Sequence, residues 1–485
     1  MVPSETDVLV VGAGIAGLVA AIETAEQGND LDVTVVEKGT RAGGTSRQSG
    51  GAFYCFEDLE AYRDRDPPGN TQLQETVVRR HEAAWDWLVD HGVPLREVDI
   101  AHNDFENVLP EVVDYLHRKP VRRRVDTHAM IDALVDALEA AGGALFLETP
   151  MQELQVSDGA VTGAVVRDGG NRIGIDADVT VLATGGYAAN ERLVEQHHVA
   201  GHTDDLWLRA SKWCTGDGLL AGKDVNAKFS KGMNDFYGKS MVTPPAEFSP
   251  FEYPAATAFY APYCVGLNRH GERIADESAS IHEKSVIKAA TREGYSRLYY
   301  IMDDRFAEST IQVTREQTVK DLLEQQRALG GNITSADSLE GLGAELSTWD
   351  VAGERAVRTI EAYNAAIRNG TAETELQPPR RHVKLPIETP PFHAIEVQPS
   401  ITLTLGGFDV TEEMQVKSRP NTGSTFAHAG RDPDPDIVGT IDGLYAVGAD
   451  VGNVGGIILM EEVSPMTVNA VLAQIAGEAI ATDLR

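Results

Sequence analysis

Asp7-Val8-Leu9-Val10-Val11-Gly12-Ala13-Gly14-Ile15-Ala16-Gly17 stands almost at the start of the chain, and Val33-Thr34-Val35-Val36-Glu37-Lys38 follows closely. Asp7 to Val11 is apolar and β-prone, Leu18 to Gln27 has helical spacing, and Val33 to Glu37 is β-prone again. Gly12, Gly14 and Gly17 thus fit G-x-G-x-x-G between a strand and a helix. Gly12 permits the tight turn, Gly14 lets the backbone approach a pyrophosphate, and Gly17, after Ala16, lets helix and strand pack closely. The helix start offers unpaired N–H groups to phosphates. Glu37 ends the second strand twenty residues after Gly17, where an acid accepts from ribose hydroxyls, and Lys38 adjoins it. The stretch predicts a Rossmann-like α/β domain that binds a dinucleotide, without separating a flavin from a nicotinamide.

Working outward, residues 71–91 read as an amphipathic helix with Trp85 and Leu88 on its apolar side, and Asp126-Thr127 caps a helix to about Ala141. Short strands are expected at 144–149, 151–156, 160–167 and 172–176, with Asp158-Gly159 as a hairpin turn. Val179 to Ala183 is a buried-strand run ending in Thr184-Gly185-Gly186. After about residue 225 the composition changes: proline and aromatics crowd 236–263, and helices are expected at 282–293, 314–329 and 352–368. Residues 369–391 read as a return linker, and the last hundred residues go back to strands, glycine turns and a helix from about Pro465 to Thr482. The expected architecture is a nucleotide domain (1–225 and 389–485) interrupted by an inserted α+β domain (226–388).

A chain of 485 residues suits two or three domains. It contains no apolar run of about 18 residues that could span a bilayer. The strand at Asp7 starts too early to leave room for a secretory leader, so a cytoplasmic location is expected. The formal net charge is -32, spread along the chain, and only 12 of the 42 Lys and Arg residues are lysine. Such an acidic surface fits a high-salt, halophilic cytoplasm, with a merely acidic mesophile as the alternative, and disfavours nucleic-acid or anionic-membrane partners. Cys55, Cys214 and Cys264 are scattered without CxxC spacing, so disulfides, c-type haem and cysteine-held clusters are not expected, and no metal set is apparent.

Gly43-Gly44-Thr45-Ser46 and Ser49-Gly50-Gly51 follow within a few residues of Glu37-Lys38. Val181-Leu182-Ala183-Thr184-Gly185-Gly186, Thr215-Gly216-Asp217-Gly218, Gly443-Leu444-Tyr445-Ala446-Val447-Gly448-Ala449-Asp450 and the last helix, with Ser464 and Met466 at its start, come later in the same order. Together these resemble the flavoprotein subunit family of fumarate reductase and succinate dehydrogenase, which includes 3-ketosteroid dehydrogenases, urocanate reductase and tricarballylate dehydrogenase. The resemblance covers nearly the whole chain. It implies FAD as cofactor, the residues just quoted as its cradle, and the inserted region as a capping domain over the substrate. Succinate dehydrogenases attach FAD through a histidine just before the loop threonine; Gly44 stands there, so the resemblance implies non-covalent FAD. The late acidic residue, usually Glu, is the shorter Asp450.

The family moves a hydride between a substrate carbon and flavin N5 while a side chain handles the proton, reducing an activated C=C or desaturating next to a carbonyl or carboxyl. Asn268-Arg269-His270-Gly271-Glu272-Arg273-Ile274-Ala275-Asp276-Glu277 resembles the family's cap motif. Fumarate reductases carry a proton-donating arginine four residues after that glutamate, and the ketosteroid enzymes a tyrosine; here Ile281 can do neither. The adjacent His282 is a candidate acid–base group, or else a histidine at a helix start. The family's His-Thr-x-Gly-Gly stretch is replaced by Thr402-Leu403-Thr404-Leu405-Gly406-Gly407, and Gly455 to Pro465 lacks the family arginine but holds Glu461 and Glu462. Losing both charged donors makes fumarate or succinate an improbable substrate. Glu461 and Glu462 are catalytic candidates that would act as a base or hold a hydroxyl or cationic substrate, or else form a solvated or structurally paired acid pair. Tyr253, Tyr260 and Tyr263 either line the pocket, with Tyr260 taken as a catalytic candidate, or pack in the core.

The expectation is therefore an FAD-dependent oxidoreductase acting on a small molecule at a CH–CH or C=C bond, with its electron donor or acceptor and oligomeric state unidentified. A flavoprotein electron-transfer subunit is the second reading, and a flavin-bound interaction protein the third.

Overall fold

The computed structural model describes residues 1–28, 30–64, 69–97, 121–198, 206–279, 284–309, 311–314, 317–419, 439–452, 454 and 463–485. The opening stretch folds as β1 (Glu5–Val11), α1 (Ile15–Gln27) and β2 (Val33–Val36). β1 has parallel neighbours on both sides, β2 and the strand Asn171–Leu182. Ala144–Phe146 extends the sheet beyond β2, and Thr440–Ala446 extends it beyond Asn171–Leu182, both parallel. Val8 to Val11, buried on both faces, form a continuous apolar run, as expected for a central parallel strand. An antiparallel hairpin, Met151–Ser157 with Ala160–Asp168, hangs on Asn171–Leu182 and turns at Asp158 (φ 52°) and Gly159 (φ 89°).

Helix α1 packs against the helix Pro465–Asp483, which in turn meets the amphipathic helix Thr71–Asp90. Trp85 is fully buried in that packing and donates to Thr467 Oγ1 at 3.2 Å. Asp126 caps Thr127–Ala140, accepting from His128 and Ala129 N–H at 2.9 Å each.

A second sheet is organised around the strand Phe392–Ile401. Ser240–Val242, Leu298–Asp303 and Ile333–Ala336 pair with it antiparallel, and Trp207–Leu208 pairs parallel. Two of these strands, Trp207–Leu208 and Phe392–Ile401, come from outside residues 226–388, so the second sheet is stitched to the first by both crossings of the chain.

Three element expectations need correction. The separate strands expected at 172–176 and 179–183 are one strand, because Asp176 and Asp178 occupy the exposed positions of an unbroken alternation. The helix expected at 314–329 begins only at Val319, where Thr318 and Asp321 form a capping box. A helix at Leu339–Thr348 was not expected: Gly341 and Gly343 mask its pattern, and Gly343 meets Gly353 of the next helix backbone to backbone.

Candidate functional site

A cavity of about 340 Å³ runs from the C-terminal ends of β1 and β2 to the edge of the inserted region. At the β1 end, Gly12 (φ +112°) turns the chain so tightly that a Cβ there would lie 2.3 Å from the Ala183 carbonyl oxygen. Gly14 faces the cavity and stands at the N-cap of α1, whose cap residue carries no side chain and whose first turn has no acid; Ile15 N–H donates to Ser46 Oγ at 3.4 Å, and the positive helix end faces the cavity, where it favours an anion. Glu37 is buried; its Oε2 accepts from Ala13 N–H at 3.0 Å and its Oε1 from Gly39 N–H at 2.7 Å. A carboxylate has about four acceptor positions, so two remain for hydroxyls in the cavity. Lys38 donates to Thr215 Oγ1 at 2.5 Å and to Asp217 Oδ2 at 2.6 Å, tying β2 to the Thr215–Gly218 turn.

Midway, Gly43 N–H donates to the Ala13 carbonyl at 2.8 Å and sets the next turn against the first. Gly44, Thr45, Ser46, Ser49 and Gly50 line the cavity, while Gly51 packs against the Val125 carbonyl. A side chain at Gly44 would meet nothing within 4 Å, and glycine offers no atom for covalent attachment. Gln48 also lines the cavity, and its buried Oε1 has no hydrogen-bond partner. An orphaned acceptor, an open face at Gly14 and Gly44, and an uncapped helix start fit a bound dinucleotide bearing a pyrophosphate and polar ring edges.

Ala183, Thr184, Gly185, Gly448, Ser464 and Met466 complete this wall. Ser464 caps the last helix through Met466 N–H at 3.1 Å and donates to the Ala52 carbonyl at 2.6 Å. Asp450 differs from its expected place. It is fully buried, holds the Thr184 N–H and accepts from Thr184 Oγ1 at 2.9 Å, so it braces the Thr184–Gly186 turn while Gly448 and Ala449 line the cavity. Burial pushes its carboxyl up to about 6, against the lowering effect of those hydrogen bonds.

The far end is lined by Tyr237, Phe259, Tyr263 and Val313 from the inserted region, with Arg209, Thr402 and Leu403 beside them. Tyr260, expected as a catalytic candidate, is corrected here: it is fully buried in the core of the inserted region, donates to Gln326 Oε1 at 2.7 Å and is not among the lining residues. Two residues of helical turn separate it from Tyr263, which does reach the cavity. Ile281, His282, Glu461 and Glu462 lie outside the described residues.

Sequence reasoning missed Arg209, Ser211 and Trp213, which line the cavity from a segment that leaves the strand Trp207–Leu208, turns where Cys214 N–H donates to the Ser211 carbonyl at 3.1 Å, and leads into the Thr215–Gly218 turn. Their alternate spacing, immediately before a recognised turn, was the available signal. Ser211 N–H donates to Thr45 Oγ1 at 3.0 Å, and the Trp213 indole lies against Gly39 at the end of β2. Cys214 lies 3.3 Å from Thr45 Oγ1, and burial pushes its thiol up to about 11, so it stays protonated. Cys55 and Cys264 are likewise buried and unbridged. Among the described residues no three His, Cys, Asp or Glu side chains converge as metal ligands, and no helix is long and apolar enough to cross a membrane.

The sequence model of the FAD binding domain matches residues 7–461. NADH:fumarate oxidoreductase of Klebsiella pneumoniae (strain 342) is 26% identical over 471 residues, covering 94% of this chain and 45% of that protein. The chain therefore spans under half the length of that relative. Vinyl phenol reductase of Lactiplantibacillus plantarum is 26% identical over 482 residues, covering 93% of this chain and 90% of its own. Among solved structures, 3-ketosteroid Δ1-dehydrogenase from Sterolibacterium denitrificans, in complex with 1,4-androstadiene-3,17-dione, superposes with a TM-score of 0.72. It shares 18% identity, and the match covers 99% of this chain and all of that one.

Proposed function

The chain belongs to the FAD-binding domain family, and from that premise we propose that it reduces an activated C=C bond, or forms one by desaturation, next to a carbonyl or carboxyl group. The carrying observation is that one cavity joins the dinucleotide cradle at Gly12–Glu37 to an end lined by Tyr237, Phe259, Tyr263 and Arg209. FAD, held there without a covalent bond, supplies the hydride acceptor or donor. The chain's own contribution is orientation and proton handling. The aromatic rings offer flat apolar walls that exclude water from a planar unsaturated substrate. Arg209 and the hydroxyl of Thr402 offer donors to an oxygen that gains negative charge when the double bond is polarised. The proton step is assigned to His282, or to Glu461 or Glu462, on their positions in the sequence.

Residues 226–388 act as the cap in this reading. Fumarate is disfavoured because Leu403 occupies the histidine position of the His-Thr-x-Gly-Gly stretch and 455–465 lacks an arginine. A separate module or protein supplies or removes electrons, a role consistent with the greater length of the NADH-dependent relative. A cytoplasmic, salt-rich setting accounts for the net charge of -32.

Anaerobic titration tests the activity. Dithionite-reduced protein is expected to be reoxidised by at least one of acrylate, cinnamate, 4-vinylphenol or a 3-ketosteroid-1,4-diene. Failure of the whole panel, in both redox directions, would sink the proposal. Replacing His282, Glu461 and Glu462 singly by Ala, Gln and Gln is expected to lower turnover by roughly 10²–10⁴-fold at the true proton donor alone.

A further inference from the structure

Phe251, a large apolar side chain of the inserted region, stands 44% exposed, and the turn that carries it is firmly fixed. Glu252 N–H donates to the Ser249 carbonyl at 2.9 Å, and Glu252 Oε2 accepts from the Ser249 N–H and hydroxyl at 2.8 Å each. Two residues on, the Tyr253 hydroxyl donates to the Leu208 carbonyl at 2.9 Å, and its ring meets Phe248 edge-on at 6.3 Å. From this base Phe251 reaches the nucleotide-binding part of the chain. Arg41 Cζ lies 4.9 Å over its ring centroid, and the His128 ring lies 5.0 Å away at a tilt of 50°. Both partners lead to one arginine. Arg47 Nη1 donates to His128 Nδ1 at 3.3 Å, and Arg47 Nε donates at 3.0 Å to the carbonyl of Ala42, the residue after Arg41. Asp132 takes Arg47 Nη2 at 2.6 Å, and the Arg47 carbonyl accepts from Thr127 Oγ1 at 2.8 Å. Arg47 closes the short helix Gly44–Arg47, whose Gly44, Thr45 and Ser46 line the cofactor cavity. A Cβ on Gly43 would stand 2.8 Å from Arg47 Cβ, so the turn is packed too closely for Arg47 to move alone.

We propose that Phe251 is a positioning residue for the cofactor: through Arg41 and His128 the inserted region holds the Gly43–Arg47 turn in its FAD-binding shape, although Phe251 itself is not among the cavity-lining residues. The contact sets a ring against a guanidinium and an imidazole, and such contacts contribute modestly where they are exposed. Its effect comes from its place, because the turn it steadies supplies three of the residues around the cofactor. Linkage makes the effect reciprocal: whatever the seated inserted region adds to FAD retention, bound FAD adds to the seating. Cofactor retention does not depend on the reaction proposed above, so failure of either leaves the other standing.

Release of FAD from the full FAD-loaded chain tests this, followed as flavin fluorescence after dilution at one fixed temperature for all variants. Phe251→Leu, which keeps apolar bulk and removes the ring, is expected to speed release about three- to fivefold. Arg41→Gln should speed it by a similar factor. The double variant should release no faster than the faster single one, because the two side chains act through one contact. Phe251→Tyr, which keeps the ring, should stay within about 1.5-fold of wild type. Both replaced side chains are exposed, so melting of the FAD-free chain should move by no more than about two degrees. Release at the wild-type rate in both Phe251→Leu and Arg41→Gln would overturn the proposal. So would effects that multiply in the double variant, a Phe251→Tyr chain that releases as fast as Phe251→Leu, or a matching loss of FAD-free thermal stability, which would mark general loosening instead of a held cofactor turn.

Discussion

A Cβ placed on Gly17 would stand 1.9 Å from the Gly12 carbonyl oxygen, whereas one on Gly14 would find nothing nearer than Ser46 Oγ at 3.8 Å. The first glycine serves the protein's own packing and the second serves a ligand. Gly14→Val should therefore weaken FAD binding by roughly a hundredfold, about 3 kcal/mol, while leaving the FAD-free melting temperature nearly unchanged. Gly17→Ala should lower that melting temperature sharply, because backbone and not a flexible side chain must give way. Fluorescence titration with FAD and thermal melts of the two variants check this split. Asp450 gives a pH prediction. Its folded value of about 6 lies above the unfolded carboxylate range, so the folded chain keeps a proton that the unfolded chain has already released. Stability should fall as pH rises from about 4 to about 6 and level off above that. Asp450→Asn should remove this descent from a plot of melting temperature against pH. At this scale the glycines were legible because each type answers to a backbone demand. Asp450 was legible as a member of the site but not in its task, because whether a side chain faces the ligand or braces a turn depends on a contact 266 residues away.

Glu277 shows how the inserted region holds together. It is fully buried, accepts from Arg273 at 2.6 and 2.9 Å and from Arg380 at 2.9 Å, and takes the Gly266 N–H at 2.9 Å. Burial alone would push its carboxyl up, but the two guanidiniums outweigh that and hold it below the usual range. Arg273 and Glu277 were readable as part of a motif four residues apart; Arg380 was not, since it arrives from the segment taken as a linker. Glu277→Ala strands two buried cations and should cost about 3–5 kcal/mol. The expected readout is early loss of the inserted region's near-ultraviolet signal on heating, with flavin release following. Glu277→Gln, which keeps an acceptor, should be milder. Helices were found where an apolar stripe and a cap coincided, as at Thr71–Asp90 and Thr127–Ala140. The helix Leu339–Thr348 escaped because close helix–helix approach demands small residues, and those erase the stripe.

For the molecule as a whole, 74 acidic against 42 basic residues make self-repulsion the dominant long-range term. Raising KCl from about 0.1 M to about 2 M, which shortens the screening length to a few ångströms, should raise the melting temperature by roughly ten degrees. A flat or falling profile would count against salt adaptation. The two-part architecture was legible from composition, but its seams were not. Trp207–Leu208 and Phe392–Ile401 belong to the second sheet although both lie outside 226–388, and only strand pairing across some 190 residues reveals it. That pairing is what places Arg209 beside Thr402. The same segment then brings Ser211 to Thr45 and Trp213 to Gly39, so within five consecutive residues the chain lines the cavity with Arg209 and braces the cofactor cradle. Mutations there will be strongly epistatic. A library that varies the cavity wall at Arg209 should therefore co-vary Ser211 and Trp213, with paired replacements expected to hold FAD better than single ones.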